Sequence, residues 1–396
     1  MINKFLTLIL FIGVALFTGC SNDDDVSSTT TTPPSTGGII DPEVGGFNQP
    51  NRVYVDLSTG NQVVSRRDSW EIAVYNGSEN RVYLNNALLV SAAELEGITD
   101  ITSVTASTSL VSPLTLNALD QTFTPTTITI STVTELMQGL PVSYYQYGDL
   151  DAGISFTDSK EGELTGTAFG EISTTDSENN VYIVNLGNDI PTTNNGTLNT
   201  TGEPRGYMKV RVLSNGSSYT IQYAELSNTV DYSEIVVTKD SNYNLTAVSL
   251  TDGLIVSVEP ESSDWDIDLG GVFSYYGNQG SLAAGLTYSD YTLHNTIGGV
   301  SLYEINVEDD ITPSYTDFTL TDVNESSLVY TDRAVVGSDW RSLDYTTGET
   351  SVTEGRYYIV KDNNGNYYKL RFTAVESETG ERGYPQFQYE LLVNDN

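Results

Sequence analysis

The chain repeats itself, and that repetition restricts the fold more than any other feature of the sequence. Val55-Asp56-Leu57-Ser58-Thr59-Gly60 returns as Val248-Ser249-Leu250-Thr251-Asp252-Gly253. Ser69-Trp70-Glu71-Ile72-Ala73-Val74 returns as Asp264-Trp265-Asp266-Ile267-Asp268-Leu269. The copies stand 193 residues apart at the glycines (60 and 253) and 195 apart at the tryptophans (70 and 265), so order is kept across a two-residue gap. Val181-Tyr182-Ile183-Val184 likewise matches Tyr357-Tyr358-Ile359-Val360, and Tyr207-Met208-Lys209-Val210-Arg211 matches Tyr367-Tyr368-Lys369-Leu370-Arg371. Ile221-Gln222-Tyr223 matches Phe387-Gln388-Tyr389. Blocks recurring in register predict two homologous modules, 51–228 and 229–396, with Trp70 and Trp265 anchoring equivalent core positions, one per module.

Each block reads as a strand. Trp265, Ile267 and Leu269 alternate with Asp266 and Asp268, the period-two pattern of a half-buried strand. Tyr357 to Val360 runs into a turn at 361–366 and returns over Tyr367 to Phe372, a hairpin with Asn364-Gly365 at its tip. Leu370 and Phe372 share one face of it, and Lys369 and Arg371 the other. Only residues 91–100 and 134–139 suggest short helical turns. With 26 tyrosines, abundant Thr, Ser, Asn and Gly, and 18 % charged residues, the expected class is mostly β: two tandem antiparallel β-sheet modules.

The charge balance excludes one group of partners. Seventeen Lys and Arg against 53 Asp and Glu give a net charge of −36, which repels nucleic acid and anionic lipid headgroups. A single cysteine and a single histidine exclude a disulfide framework. They also exclude zinc sites built from four cysteines or from cysteine and histidine pairs. No Gly-x-Ser-x-Gly, Gly-x-Gly-x-x-Gly or P-loop sequence occurs. The Asp/Asn/Gly run at 362–366 lacks the rest of an EF-hand loop and reads as the hairpin tip.

The first fifty residues carry the address. Lys4 precedes a 13-residue apolar run, Phe5 to Phe17, too short to span a bilayer and right for a signal-peptide core. It ends in Phe17-Thr18-Gly19-Cys20, which resembles a bacterial lipobox. Residues 1–19 are thus expected to be a lipoprotein signal peptide, and Cys20 the acylated first residue of the mature chain. Its acyl chains would anchor it stably. Residues 20–50 read as a disordered tether, polar and rich in Ser, Thr, Pro and Gly. Asp23-Asp24-Asp25 resembles the tag that sends some Gram-negative lipoproteins to the outer face of the outer membrane.

The "LSTG/LTDG" strand openings, the Trp-acidic-Ile blocks and the Tyr-Tyr-Lys-Leu-Arg-Phe strand followed by Gly383-Tyr-Pro-Gln-Phe-Gln-Tyr389 resemble the HmuY family. These are acylated, surface haem-binding proteins of Gram-negative bacteria. The match is best over Ser263 to Leu269 and Tyr357 to Tyr389. The resemblance implies an all-β fold, one bound haem, a role in iron acquisition, and delivery to a TonB-dependent outer-membrane receptor. It also implies a pair of axial ligands, His with His or Met with Met. This chain departs there: it has His294 alone, and after Met1 only Met137 and Met208. Met208 stands where the other module has Tyr368, which marks it as packing.

Candidate haem-iron ligands are therefore His294 and Met137, since imidazole and thioether both suit haem iron. The bland alternatives are a polar strand residue for His294 and a gap-filler for Met137. Lys369 and Arg371, like Lys209 and Arg211, share a strand face and would suit carboxylates such as propionates. The alternative is a plain solvent face. Tyr144 and Tyr145 belong to an aromatic cluster that would line a pocket. Asp266 and Asp268 share a face as a glycosidase pair does, but Ala73 replaces Asp268 in the other copy. The sequence thus predicts a non-catalytic binding lipoprotein for haem or a related porphyrin. The alternative is a β adhesion or assembly lipoprotein that has lost its haem site.

Overall fold

The computed structural model describes residues 33–119, 124–140, 155–193, 198–279, 282–308, 312–344 and 346–394. The signal peptide, residues 20–32 of the tether (Cys20 included), Tyr144 and Tyr145 lie outside the described residues; the rest of the expected disordered tether, 33–50, is part of the fold, with Gly37–Ile40 paired as an edge strand and Ile40, Val44 and Phe47 buried. Ser35–Asn396 form one compact unit. The protein is mostly β, and its paired strands are antiparallel.

The main sheets form two sandwiches. In the first, a five-stranded sheet runs Ser233–Thr238, Ser218–Glu225, Tyr207–Ser214, Val181–Asn185, Ser91–Leu95. A four-stranded sheet packs on it, in the order Leu254–Val256, Leu245–Ser249, Ile72–Tyr75, Val82–Leu84. Val184, Val210 and Ile221 of one meet Ile72, Val74 and Val248 of the other. The second sandwich has a five-stranded sheet, Gly37–Ile40, Arg382–Leu391, Tyr367–Glu376, Arg356–Lys361, Ser301–Asn306. Its four-stranded partner runs Leu282–His294, Ile267–Gln279, Asn51–Asp56, Asn61–Arg66. Val53, Val55, Ile267 and Leu269 fill that core with Tyr358, Leu370 and Phe387. Each such aliphatic side chain, fully buried, contributes roughly 1.5–3 kcal/mol.

The sheets do not divide at residue 228. The strand Ser233–Thr238 and the hairpin 245–256 lie in the first sandwich, whereas Gly37–Ile40 and the hairpin 51–66 lie in the second. Each repeated hairpin pairs with the tryptophan strand of the other copy: Ala247 faces Ala73, and Val55 faces Ile267. The exchange is reciprocal in detail. Glu71 Oε2 accepts the Leu250 N–H at 2.6 Å, and Asp266 Oδ2 accepts the Leu57 N–H at 2.8 Å. Gly60 and Gly253 close the two hairpins at φ +74° and +69°, a conformation that favours glycine. Both hairpins and both tryptophan strands carry the same alternation, so the sequence cannot distinguish pairing within a copy from pairing between copies.

Two local expectations change with the structure. Ser91–Leu95 is a strand at a sheet edge, not a helical turn; the α-helix Val133–Gly139 does form, capped by Thr132 with Glu135. The tryptophan strand is buried on both faces, not half-buried. Ile267 and Leu269 enter the second core, while Asp266 and Asp268 are buried with partners of their own. The 356–376 hairpin forms as read, with Asp362 Oδ1 accepting the N–H groups of Asn364 and Asn366 across its tip.

Candidate functional site

The faces of the four-stranded sheets that turn away from their own sandwich cores meet each other. Tyr54, Trp70, Ala73, Ala247, Val258 and Trp265 form one buried cluster there. Trp70 and Trp265 therefore share a core rather than anchoring one module each. Tyr54 meets Trp265 edge-on at 5.1 Å between ring centres. Beside this cluster opens a cavity of about 520 Å³, within the range typical of small-molecule sites. Its aromatic wall carries Tyr54, Trp70, Tyr83, Tyr243 and Trp265. Both repeated hairpins and both tryptophan strands contribute, so neither copy alone encloses it.

The walls from the two copies differ chemically. Leu245 and Ala247 stand where the other hairpin has Arg52 and Tyr54, and Ala73 stands where the other tryptophan strand has Asp268. Arg52 grips Asp268 through Nε and Nη2 at 2.9 and 3.1 Å. Burial pushes the Asp268 carboxyl up against the opposing pull of Arg52. Glu259, also on the wall, accepts the Leu245 N–H at 2.6 Å. Burial pushes its carboxyl up to about 8. Arg333 is committed elsewhere: it donates to the Lys160 and Ser159 carbonyls at 3.3 Å and lies 5.3 Å over the Phe273 ring.

His294 ends the strand Leu282–His294 and lies on the same wall, 2 % exposed. It is not on a solvent face. Nδ1 lies 3.1 Å from the Arg333 carbonyl and Nε2 3.4 Å from the Val329 carbonyl. Burial pushes its pKa down to about 4 even though both carbonyls favour the cation. Both ring nitrogens face backbone carbonyls, the neutral ring can donate to only one of them, and iron at either nitrogen would have to displace the carbonyl in front of it. Met137 lies elsewhere, against the cluster formed by Val133, Leu136, Val181 and Ile183, and is not on the cavity wall. The two candidate ligands are not brought together. Two-sided iron ligation by side chains of the family's types does not fit this cavity.

The paired cations belong to the fold. Lys369 is buried, donates to the Phe318 carbonyl at 3.1 Å and pairs with Glu390 at 3.3 Å. Arg371 donates to Gln388 and lies 4.4 Å over the Tyr315 ring. Lys209, equally buried, donates to the Val104 and Asn228 carbonyls, and Arg211 to those of Asn179 and Asp176. Neither pair forms a solvent face, and none of the four lines the cavity. In both copies the cations tie loops onto the five-stranded sheet. Asp266 and Asp268 are likewise committed to separate partners, Leu57 and Arg52.

Arg52, Tyr54, Glu259 and Arg333 escaped sequence analysis. The break in the repeat at Ala73/Asp268 was the available signal, because a buried aspartate on one copy needs a cation that the other lacks. Among the described residues, no group of three or more His, Cys, Asp or Glu side chains is placed to hold a metal ion.

The model of the HmuY protein family matches residues 48–389. The chain belongs to the HmuY family. Three solved structures show distant likenesses: a Bacteroides fragilis protein assigned as a lipoprotein, the apo HmuY analogue of Tannerella forsythia, and apo PinO from Porphyromonas gingivitis. Their identities are 12, 15 and 14 %, over 45, 44 and 45 % of this chain and 91, 90 and 93 % of theirs, at TM-scores of 0.19, 0.16 and 0.16. No curated protein matches the chain. Among the described residues no helix is long and apolar enough to cross a membrane.

Proposed function

We propose that this HmuY-family protein is a non-catalytic binding lipoprotein, and that its ligand is a flat ring system of the haem or porphyrin class enclosed in the cavity between the two copies. The observation that carries the reading is the cavity of about 520 Å³, walled by Tyr54, Trp70, Tyr83, Tyr243 and Trp265. Aromatic walls offer large apolar contact and stacking to a flat ligand. Binding would serve iron acquisition, with the ligand passed to a TonB-dependent receptor. The anchor would be acyl chains on Cys20, holding the protein at the outer face of the outer membrane.

The backbone carbonyls that face both nitrogens of His294 set the expected form of binding. The ligand is held by its ring faces, with little contribution from iron. Haemin and iron-free protoporphyrin IX should therefore bind with affinities within about threefold of each other, since no coordinate bond separates them. His294→Ala should leave the position of the haemin Soret band unchanged. Absorbance titration of the purified protein tests both points. If neither porphyrin binds, the reading fails; if haemin alone binds and His294→Ala abolishes it, iron ligation by His294 replaces ring-face binding.

A further inference from the structure

The inner wall of the cavity holds two cations, while its mouth is largely apolar. Arg52 and Arg333 both line the cavity, and both act on Asp268. Glu259 holds its proton to about 8 and burial keeps His294 neutral, so at neutral pH the inner wall sets two guanidiniums against the one carboxylate of Asp268. Asp158, outside the lining, also acts on Arg333, but its two oxygens accept the Leu84 and Ala168 N–H groups at 2.9 Å. Both guanidiniums keep a donor in reserve. Arg52 gives Nε and Nη2 to Asp268, and Arg333 gives Nε and Nη2 to the Lys160 and Ser159 carbonyls. Among the described residues, Nη1 of neither arginine has a hydrogen-bond partner. A carboxylate is the group such planar donors suit best. Aromatic rings stand beside both: Tyr54 lies two residues from Arg52 on its strand face, and Arg333 acts on the Tyr83 phenol. The mouth offers the reverse. Val236, Ile255 and Ile297 line it with 60, 52 and 38 % exposure, and the exposed Asp240, also on the lining, disfavours a carboxylate there.

We propose that the free Nη1 groups of Arg52 and Arg333 receive a ligand carboxylate at the inner wall, so that the cavity takes a flat aromatic acid in preference to the neutral molecule of the same size. This rests on the reading of the cavity as the ligand site. It adds an orientation for any porphyrin: the carboxylate edge enters first and meets the two arginines, and the edge without carboxylates stays at the mouth beside Val236 and Ile255.

Two naphthalenes of similar size isolate the carboxylate: 2-naphthoate, an anion at neutral pH, and 2-naphthalenemethanol, which is neutral. Calorimetric titration of the full mature chain at about 0.15 M salt compares them, and the −36 charge of the chain works against the anion, so it cannot create the expected ranking. Naphthoate should bind the wild type at least ~5-fold more tightly than the alcohol. Arg333→Gln and Arg52→Lys should each weaken naphthoate about 5- to 10-fold and leave the alcohol unchanged, which also shows that the cavity has kept its shape. Arg66→Gln, which removes an exposed guanidinium outside the cavity, should change neither. Equal or inverted ranking of the two naphthalenes on the wild type overturns the proposal without recourse to a variant, as does equal loss with Arg66→Gln. Porphyrin binding without the carboxylate preference overturns this inference and leaves the cavity reading intact. Failure of porphyrins and naphthalenes alike ends both.

Discussion

The two tryptophan strands make the same contact and then diverge at the next inward position. In the first, Glu71 holds the Leu250 N–H and pairs with Arg205 at 2.6 Å. In the second, Asp266 holds the Leu57 N–H, but no cation pairs with it among the described residues, and burial pushes its carboxyl up to about 8. Two residues on, Ala73 faces the cavity from one strand and Asp268, gripped by Arg52, from the other. The contact that locks a hairpin to its strand is therefore duplicated, and the charge that faces the cavity is not. A carboxylate repeated in both copies serves the fold. The carboxylate present in only one, Asp268, lies on the cavity wall in a pair with Arg52.

The exchange of hairpins can be broken or fixed outright. Ala73 and Ala247 are direct cross-strand partners, and such pairs hold Cα atoms about 4.5–5.5 Å apart, within disulfide reach. In a Cys20→Ser background, Ala73→Cys with Ala247→Cys should oxidise almost completely in the folded chain. Tyr54→Cys with Ala73→Cys, the pair that within-copy pairing would bring together, should stay reduced. Mass spectrometry after mild oxidation reads the result, and the opposite pattern means that each hairpin stays in its own copy.

The shared tryptophan cluster gives the next largest effect. Trp70→Ala and Trp265→Ala should each cost roughly 3–5 kcal/mol. Because both side chains sit in one cluster, either loss should lower a single common unfolding transition. Calorimetry that resolves two transitions, with only one moving per variant, would show the copies to be independent.

Titration of the buried groups gives a smaller effect. Glu259 and Asp266 hold their protons to about 8 in the folded chain, against ordinary values of 4.5 and 3.8, so folding binds protons and stability falls as pH rises toward 8. His294 works the other way: its folded value of about 4 against 6.5 makes stability rise with pH up to 6.5. Above 6.5 the carboxylates dominate, and stability should drop by about 3 kcal/mol between pH 6.5 and 8. Denaturant melts at the two pH values check this, and Glu259→Gln with Asp266→Asn should flatten the fall. A flat wild-type profile would mean that neither carboxylate is buried as described.

Much of this architecture was legible in the residues. Alternation in the Trp265 block, the Asn364-Gly365 tip and the paired blocks located strands and a hairpin that the structure contains, and the HmuY resemblance placed the family. Partner choice was not legible. Equivalent hairpins present equivalent faces, and which tryptophan strand each joins is decided only when the sheets stack. The site was legible in part. His294 does reach the cavity wall, but the loop carbonyls of Val329 and Arg333 that face its nitrogens come from 35 and 39 residues away. Lys209 and Lys369 read as surface cations because loop carbonyls that bury an ammonium leave no side-chain signature. Glu259 stood in no motif and became notable only beside Arg52 and Asp268.

The chain's three tryptophans provide a direct report on the cavity. Trp70 and Trp265 line it, while Trp340 lies in the second sandwich, stacked 4.0 Å from Phe372. Iron-free protoporphyrin IX is diamagnetic, and its ring current falls off steeply with distance. In a nitrogen–proton correlation spectrum, saturating porphyrin should shift the indole N–H signals of Trp70 and Trp265 and leave that of Trp340 in place. Bound porphyrin that moves Trp340, or that moves none of the three, would put the ligand outside the cavity between the two copies.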